Sequence, residues 1–488
     1  MTVARRRDRT AAQLAMLLGE MAIVFASGVL VYVLISRASG PELLGQYSLV
    51  LSWLTLFQAF AGFGVSEWVM REIGRSPKDG GTVGEALALG IVSSVGASAL
   101  MVGVASLWDY PHGVLRAIEI AALALPAFTV AQVCRGVFVA RGRSQHVFAI
   151  RLLEFLAVVP ANAVLIIRGA PVETLIATLV GGRMLGAAAS LALLRVHGLR
   201  VGFPRRLPGL QRLGTVAPFA ASQALGLLAT NLNLIMLSAW APSEVLGYYG
   251  GAAKLVDVLL LFPTVVGTFL MPRLAANPPR SPGTADLEKG LEEPTLRRAL
   301  AGLFAVAILA CAGLALFAEW VLHALYGPSL VPAAPILRCL MLYCALVFAD
   351  AMTSVVLKAT DYQRADVALF AVNPVVNAAL NLALIPVLGA VGAALAAVAA
   401  VLASLSLRYR FIRQKFGAPR WGALAAVPLG GAAMGAAATW ALRGHVPEAA
   451  LFAAWTVGSA WLLMRAIGAR LGDLWQLRRA TATEGSGS

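Results

Sequence analysis

Residues 41–47 read PELLGQY and residues 243–249 read SEVLGYY. Both segments follow a long apolar stretch and share the pattern E-x-L-G-x-Y. A second, weaker correspondence further along the chain places Glu154 opposite Asn373. Two correspondences in the same order along the chain indicate that it is built from two related halves.

Long apolar stretches recur on both sides of these two segments. They lie at about residues 12–36, 46–70, 84–107, 114–139, 147–168, 172–195, 214–239, 248–271, 298–321, 331–356, 365–387, 389–411, 420–442 and 449–470. A helix needs about 20 apolar residues to cross a bilayer. The sequence therefore predicts an all-α integral membrane protein with about 14 transmembrane helices.

The two copies of the motif are separated by an even number of spans, so both have the same orientation in the membrane. Parallel repeats of this kind are related by an axis along the membrane normal. We expect two pseudo-symmetric six-helix lobes, a V-shaped central cavity and two C-terminal helices. The predicted parts are an N-lobe at 1–213 (spans 1–6), a C-lobe at 214–415 (spans 7–12), spans 13–14 at 416–471 and a cytoplasmic tail at 472–488.

The composition agrees with a membrane protein. Of the 488 residues, 59% are hydrophobic and only 13% are charged, whereas soluble domains have roughly 45–50% and 25%. Few residues remain for a soluble domain. The four cysteines all lie inside apolar stretches, where we expect buried free thiols instead of disulfides; they are Cys134, Cys311, Cys339 and Cys344.

The net charge of +15 is distributed between alternate loops. One set of loops is basic, and it contains Arg71, Arg75, Lys78, Arg141, Arg143, Arg200, Arg205, Arg206, Arg212, Arg273, Arg280, Lys289, Arg297, Arg298, Arg364, Arg413, Lys415 and Arg420. The intervening loops hold mainly acids, namely Glu42, Asp109, Glu173, Glu244, Glu319 and Glu448, against Arg37, Arg168 and Arg443. Cytoplasmic loops are the basic ones, so both termini are expected in the cytoplasm, with the first apolar stretch a span and not a cleaved signal peptide.

The loops and motifs exclude several functions. The largest loop, about residues 272–297, is too short for the external catalytic loop of a glycan polymerase or ligase. No Walker A motif, G-x-S-x-G, H-E-x-x-H or C-x-x-C occurs. We therefore expect neither an enzyme nor a metal or cofactor site, and we assign the basic charge to cytoplasmic loops, with no nucleic-acid partner.

Four segments resemble the polysaccharide flippase branch of the multidrug/oligosaccharidyl-lipid/polysaccharide exporter superfamily. They are SGPELLGQYS at 39–48, YYGGAAKLVD at 248–257, LYGPSLVPAAPIL at 325–337 and NPVVNAALNLALIPVLGAVGAA at 373–394. The resemblance implies translocation of polyprenyl-pyrophosphate-linked oligosaccharide across the bacterial inner membrane, by alternating access, for O-antigen, capsule or exopolysaccharide. It also implies contact with membrane lipids and with polysaccharide polymerase and assembly proteins.

Ionisable residues within spans indicate function, because they are expensive in lipid and usually face the bundle interior. A pyrophosphate leaving water needs cationic partners. Arg183, Lys254 and Arg338 are the candidate substrate-binding cations of the cavity. For Lys254 the alternative is a salt bridge within its own helix to Asp257, three residues on.

Amide side chains form a second group of candidates. Asn373, Asn377 and Asn381 recur at intervals of four along span 11, and Asn231 and Asn233 lie in span 7. Amides donate and accept hydrogen bonds and so suit sugar hydroxyls. For the span 11 stripe, hydrogen bonding between helices is the slightly favoured alternative.

The carboxylates Glu20, Asp257 and Asp350 are candidates for coupling transport to H⁺ or Na⁺. Burial of Glu20 would favour its neutral form, as a proton carrier requires. The alternative is that Glu20 permanently neutralises a cavity arginine. Arg135 and Arg151 are expected to extend towards lipid headgroups at the cytoplasmic boundary.

The sequence is compatible with three functions. A lipid-linked oligosaccharide flippase leads, with a lipid II flippase as a near relative that the sequence does not separate from it. A cation-coupled small-molecule exporter of the same superfamily is second. A non-transporting scaffold of a glycan assembly complex is third, and the interior Arg183 argues against it, since a scaffold needs no interior charge.

The loop charges predict a testable topology. Single cysteines introduced at Arg205 and Lys415 should react only with reagent that reaches the cytoplasm, and those at Glu244 and Glu448 should react from outside. The measurement is labelling of intact cells with a membrane-impermeant maleimide, compared with labelling of lysed cells. A residue found on the opposite side would overturn the fourteen-span topology.

Overall fold

The computed structural model describes residues 2–62, 64–75, 80–197, 210–264, 267, 294–417, 421–442 and 445–467. These residues form helices joined by short turns. The all-α prediction is therefore confirmed. Each of the fourteen apolar stretches lies on helix over nearly all of its described residues.

The first half of the described chain contains nine helices. They are α1 Thr2–Gly62, α2 Val65–Arg75, α3 Gly80–Ala105, α4 His112–Ala122, α5 Ala124–Ala140, α6 Ser144–Ile167, α7 Val172–Val196, α8 Leu210–Leu237 and α9 Ser243–Leu259. Helices α4 and α5 together form one candidate crossing. The lone predicted span at 114–139 is thus two helices that meet at Leu123.

The second half continues after the gap in the described residues. Its helices are α10 Pro294–Leu316, α11 Ala318–Tyr326, α12 Ala334–Ala359, α13 Gln363–Phe370, α14 Val372–Phe416, α15 Trp421–Leu442 and α16 Glu448–Ile467, with a 3₁₀ turn at Pro328–Ala333 before α12. Helices α10 and α11 meet at an angle of 79°.

Two of the helices contain two predicted spans each. Helix α1 breaks at Gly40 (φ 81°, ψ −173°) and α14 breaks at Gly389 (φ 55°, ψ −134°). Glycine adopts positive φ without steric penalty, and Pro41 further disfavours helical geometry at the residue before it. The apolar stretches Ala15–Gly62 and Gln363–Phe416 are 48 and 54 residues long, enough for two crossings each.

The structure divides into two compact units. The first is drawn from Met1–Lys254, Leu325–Leu330 and Asn381–Ala393, and the second from the remaining segments. The predicted boundaries after residues 213, 415 and 471 stay predictions. The predicted tail at 472–488 lies outside the described residues.

The first unit has a core of small and branched side chains. Val69 of α2, Ala86 of α3, Val137 of α5 and Val147 of α6 are all buried in it. By contrast, many large apolar side chains of the described residues are exposed, and Ile167 is 80% exposed. An exposed apolar surface is expected where a helix faces lipid. The four cysteines are free, and three of them are buried as predicted, whereas Cys339 is half-buried.

The two copies of the repeated motif contact each other inside the first unit. A methyl group on Gly45 would overlap the backbone carbonyl oxygen of Ser243, and one on Gly247 would overlap the carbonyl oxygen of Pro41. Each glycine thus lets the backbone of the other copy approach closely. This reciprocal glycine contact explains why the motif keeps glycine at the same position in both copies.

We expect Gly45→Ala to destabilise the protein, because backbone atoms cannot move aside for the added methyl. Overpacking typically costs about 1–3 kcal/mol, which should lower the midpoint of thermal unfolding in detergent, measured by fluorescence-detected size exclusion. The control is Gly96→Ala on α3, where an added methyl meets no atom within 4 Å. Equal midpoints for the two variants would contradict the packing.

Candidate functional site

The first unit contains a partly open cavity with a volume of about 260 Å³. Its walls come from α1, α6, α7 and α9. Much of the lining is apolar, and it includes Ile23, Val31, Leu54, Phe155 and Leu179. The polar and charged lining residues are Ser27, Tyr32, Tyr47, Thr55, Gln58, Arg151, Glu154, Arg183 and Lys254.

Arg183 reaches the cavity from α7. The preceding Gly182 packs closely on Val158, since a methyl group there would overlap that side chain, and this contact holds α7 near α6. Arg183 Nη1 lies 3.8 Å from Glu154 Oε2, and its guanidinium lies 5.9 Å from the ring centre of Phe128. The side chain is 26% exposed, so an anion in the cavity could contact it.

Lys254 lines the same cavity from α9. Its ammonium lies 5.3 Å from the ring centre of Tyr32, a cation–π distance. Gly28 on α1 leaves room for the lysine, because a methyl group at that position would contact Lys254 Cε and Nζ. The structure therefore brings two of the three predicted cations to one cavity.

A chain of alternating charges begins in the wall of this cavity and continues to Glu20 and Arg135. Glu20 accepts bonds from Arg135 Nε at 3.0 Å and Arg135 Nη2 at 3.1 Å, and it pairs with Arg151 Nε at 3.4 Å. Arg151 Nη1 donates to Glu154 Oε2 at 2.7 Å. We refer to Arg135, Glu20, Arg151, Glu154 and Arg183 as the ion chain.

The ion chain corrects the interpretation of two arginines. Arg135 and Arg151 were expected to extend towards lipid headgroups, but they turn inward to Glu20. The Arg151 side chain is only 11% exposed, and such burial requires partners because an unpaired charge is costly there. The sequence analysis also missed Glu154 as a site residue, although its i, i+3 spacing from Arg151 was visible.

Arg338, the third predicted cation, lies elsewhere. It is on α12 in the second unit, where Nη2 donates to Glu319 Oε1 at 2.8 Å. Its side chain is 42% exposed. The residues that line the cavity of the first unit do not include it.

The asparagines make hydrogen bonds to protein groups. Asn381 donates to Asn233 Oδ1 at 2.7 Å, and Asn373 donates to Ser404 Oγ at 3.4 Å. Asn377 is fully buried on α14. Asn231 donates to the Leu227 carbonyl of its own helix. The bond of Asn381 joins α14 to α8, and the bond of Asn373 joins the two segments of α14 on either side of Gly389. Both bonds support the alternative of hydrogen bonding between helices.

Asp350 belongs to a buried cluster in the second unit. Arg408 donates to Asp350 Oδ2 at 2.6 Å and pairs with Asp366 Oδ1 at 2.7 Å. Its side chain is 4% exposed, and its guanidinium lies 4.9 Å from the ring centre of Phe370. Neither Arg408 nor Asp366 was singled out from the sequence. Asp257, the third predicted carboxylate, is exposed on α9.

In the part of the chain that the structure describes, no three His, Cys, Asp or Glu side chains cluster closely enough to hold a metal ion. The charged groups of the cavity can act through electrostatics and hydrogen bonding. Arg183 and Lys254, with the tyrosines and Gln58, can bind an anion that carries hydroxyl-rich groups.

The geometry of Glu20 leads to a prediction about its role. Since two arginines hold Glu20, we expect it to act as their partner and to stabilise the fold. Glu20→Gln should lower the thermal midpoint, because half-buried Arg135 loses its ion pair with Glu20 and buried Arg151 keeps only Glu154 as a carboxylate partner. The same variant in proteoliposomes should keep its response to a pH gradient; loss of that response in a stably folded variant would instead identify Glu20 as the proton carrier.

The comparisons with known proteins agree with this architecture. A family model described as "Polysaccharide biosynthesis protein" matches residues 15–277, more than half of the chain. No curated protein sequence matches the chain. The structure is similar to lipid II flippase MurJ in an inward closed conformation, with a TM-score of 0.75 at 11% identity, covering 93% of this chain and 98% of that one.

Two further solved structures share the fold. One is an inward-facing multidrug resistance MATE transporter of the MOP superfamily, with a TM-score of 0.63 at 15% identity, covering 84% of this chain and 98% of that one. The other is a MOP superfamily transporter from Pyrococcus furiosus, with a TM-score of 0.57 at 15% identity, covering 84% and 95%. The chain therefore belongs to the polysaccharide biosynthesis protein family and is a multi-pass membrane protein with the fold of MOP superfamily transporters.

Proposed function

We propose that the protein flips polyprenyl-pyrophosphate-linked oligosaccharide across the bacterial inner membrane by alternating access, for assembly of O-antigen, capsule or exopolysaccharide. The family match supports a role in polysaccharide biosynthesis. The observation that carries the proposal is the charge of the cavity. Its lining holds three cations, Arg151, Arg183 and Lys254, and a single carboxylate, Glu154.

This charge balance favours an anionic headgroup. A diphosphate that leaves water must exchange its hydration for charge-assisted hydrogen bonds, and hydrogen bonds to charged groups contribute about 1.5–3 kcal/mol each. The guanidinium of Arg183 can form two parallel bonds to phosphate oxygens. A cationic drug would be repelled by the same lining, which argues against the small-molecule exporter.

The proposal also covers the class of protein, its topology, its partners and its energy source. The protein is a transporter and not an enzyme, both termini are cytoplasmic, and the oligosaccharide passes to polymerase and assembly proteins. Transport draws on an H⁺ or Na⁺ gradient, or on removal of the product. Asp257 and Asp350 stay candidates for the coupling site, whereas the two arginine partners of Glu20 favour a structural role for that residue.

A second candidate is lipid II flipping. The observation that favours it is the similarity of the fold to lipid II flippase MurJ over 93% of this chain. Lipid II also carries a polyprenyl pyrophosphate, so the positive cavity suits both substrates. The sugar portion distinguishes them, and a transport assay with both lipids is required.

The test is reconstitution into proteoliposomes with a fluorescent polyprenyl-pyrophosphate oligosaccharide. A membrane-impermeant quencher reports the fraction of lipid in each leaflet with time. We expect protein-dependent movement of the oligosaccharide lipid that exceeds that of lipid II. Faster movement of lipid II would select the second candidate, and movement of neither lipid would overturn the proposal. In cells, deletion of the gene should leave lipid-linked glycans on the cytoplasmic side.

A further inference from the structure

We propose that Glu154 is a resident counter-anion that competes with the substrate diphosphate for Arg183 and thereby speeds release of the substrate. The inference rests on the proposed function, because it assumes an anionic headgroup in this cavity. In this role the only acidic residue among the described lining residues weakens substrate binding instead of strengthening it.

Glu154 holds its two arginine partners unequally. Arg151 Nη1 lies 2.7 Å from Glu154 Oε2, a hydrogen-bonding distance, whereas Arg183 Nη1 lies 3.8 Å from the same oxygen. Arg151 also has Glu20 as a second carboxylate partner. Arg151 is therefore fixed in place, and Arg183 is the member of the ion chain that can turn to another anion with little loss.

The second carboxylate oxygen supports the same conclusion. Glu154 Oε1 is buried and accepts no hydrogen bond from any residue that the structure describes. It lies against Gly186 of α7, where an added methyl would overlap it. A buried acceptor without a partner costs free energy, so Glu154 is not optimised as a structural anchor. Towards Arg183, at 3.8 Å, Glu154 acts as a negative charge and not as a hydrogen-bond acceptor.

Other charged groups set the strength of this competition. Arg151 lies on α6 with Glu154, and Arg183 faces Glu154 from α7. Beyond Arg151 the ion chain continues to Glu20 on α1 and then to Arg135 on α5. Lys254 lines the same cavity from α9. When a diphosphate engages Arg183 and Lys254, repulsion from Glu154 limits the affinity, and when it leaves, Glu154 takes its place at Arg183.

Transport requires such a limit. A carrier that binds its substrate too tightly releases it slowly, so moderate affinity gives faster turnover. The same holds in channels, where ion binding must be weak enough for the ion to leave. A carboxylate already present in the site exchanges with the phosphate without leaving Arg183 buried and uncompensated.

The test measures binding of inorganic pyrophosphate to the purified full-length protein in nanodiscs by calorimetry. We expect Glu154→Gln to bind pyrophosphate about tenfold more tightly than the unmodified protein, equal to about 1.4 kcal/mol, and to flip the fluorescent lipid more slowly. Glu20→Gln is the matched control, because it removes the same charge from the same ion chain without facing Arg183; its gain should be smaller. In the double variant Glu154→Gln/Arg183→Ala, the gain should disappear.

Each outcome separates this inference from the proposed function. If the unmodified protein binds pyrophosphate and Arg183→Ala weakens that binding, the anionic site stands; unchanged or weaker binding by Glu154→Gln then overturns the counter-anion role alone. If the unmodified protein does not bind pyrophosphate at all, the proposed function fails with it. Should Glu154→Gln not fold, Glu154→Asp keeps the charge but withdraws it from Arg183, and it should also tighten binding.

Discussion

Arg183→Ala and Lys254→Ala should each abolish export of surface polysaccharide while the amount of protein in the membrane stays unchanged. Both side chains line the cavity of the first unit, and each supplies charge to the proposed diphosphate site. Loss of one hydrogen bond to a charged group removes about 1.5–3 kcal/mol, or more than a factor of ten in binding. The measurement is surface polysaccharide by immunoblot, with membrane protein quantified in parallel.

The conservative variant and a control sharpen this prediction. Arg183→Lys should retain part of the export, since the charge remains but the paired hydrogen bonds of the guanidinium do not. Arg465→Ala should export normally, because Arg465 is exposed on α16 and its guanidinium lies 5.4 Å from the ring centre of Trp461. Normal export by both cavity variants would show that these cations do not bind substrate.

Arg408→Ala should prevent accumulation of folded protein. Arg408 is the shared partner of Asp350 and Asp366, both of which are buried. Removing one partner of a buried ion pair costs about 3–5 kcal/mol, a large part of a typical folding free energy of about 5–15 kcal/mol. The measurement is the monodisperse peak in detergent and its thermal midpoint.

Two further variants separate loss of the ion cluster from loss of a surface charge. Arg410→Ala lies on the same helix but is exposed, and it should leave the midpoint nearly unchanged. Asp350→Asn should destabilise less than Arg408→Ala, because Arg408 keeps Asp366. If Arg408→Ala were as stable as Arg410→Ala, the buried cluster would have no structural role.

The sequence predicted the helices well because each crossing requires a long apolar stretch. That length signal is local, so it does not depend on which helices pack together. The breaks at Gly40 and Gly389 were not predicted: at each of them two helical segments join directly through one glycine, where a short loop was expected. The reason is that a glycine with positive φ redirects a helix within one residue, without the polar residues that mark a loop.

The candidate site was predicted only in part. Arg183 and Lys254 stood out because charges are rare inside apolar stretches, and the structure places both on one cavity. The same reasoning selected Arg338, which lies in the other unit beside Glu319. Sequence position cannot distinguish these cases, because whether a charge faces a cavity depends on the rotation of its helix against its neighbours.

The ion chain escaped prediction for a related reason. Its members come from α1, α5, α6 and α7, and pairings across helices leave no spacing pattern in the sequence. The pair of Arg151 and Glu154 was the one local signal, since residues three apart on a helix lie on the same face. That signal is sufficient to suggest a salt bridge, which the sequence analysis did not draw from it, but it does not reveal the third partner, Arg183.

The reciprocal glycine contact has the symmetry of a homodimer interface. In a two-fold dimer, one surface recognises its own copy, so a single sequence specifies both sides. Here Gly45 meets the backbone at Ser243 while Gly247 meets the backbone at Pro41. Within one chain the two sides are encoded separately, so the position after each glycine differs, Gln46 in one copy and Tyr248 in the other, while the backbone contact stays two-fold.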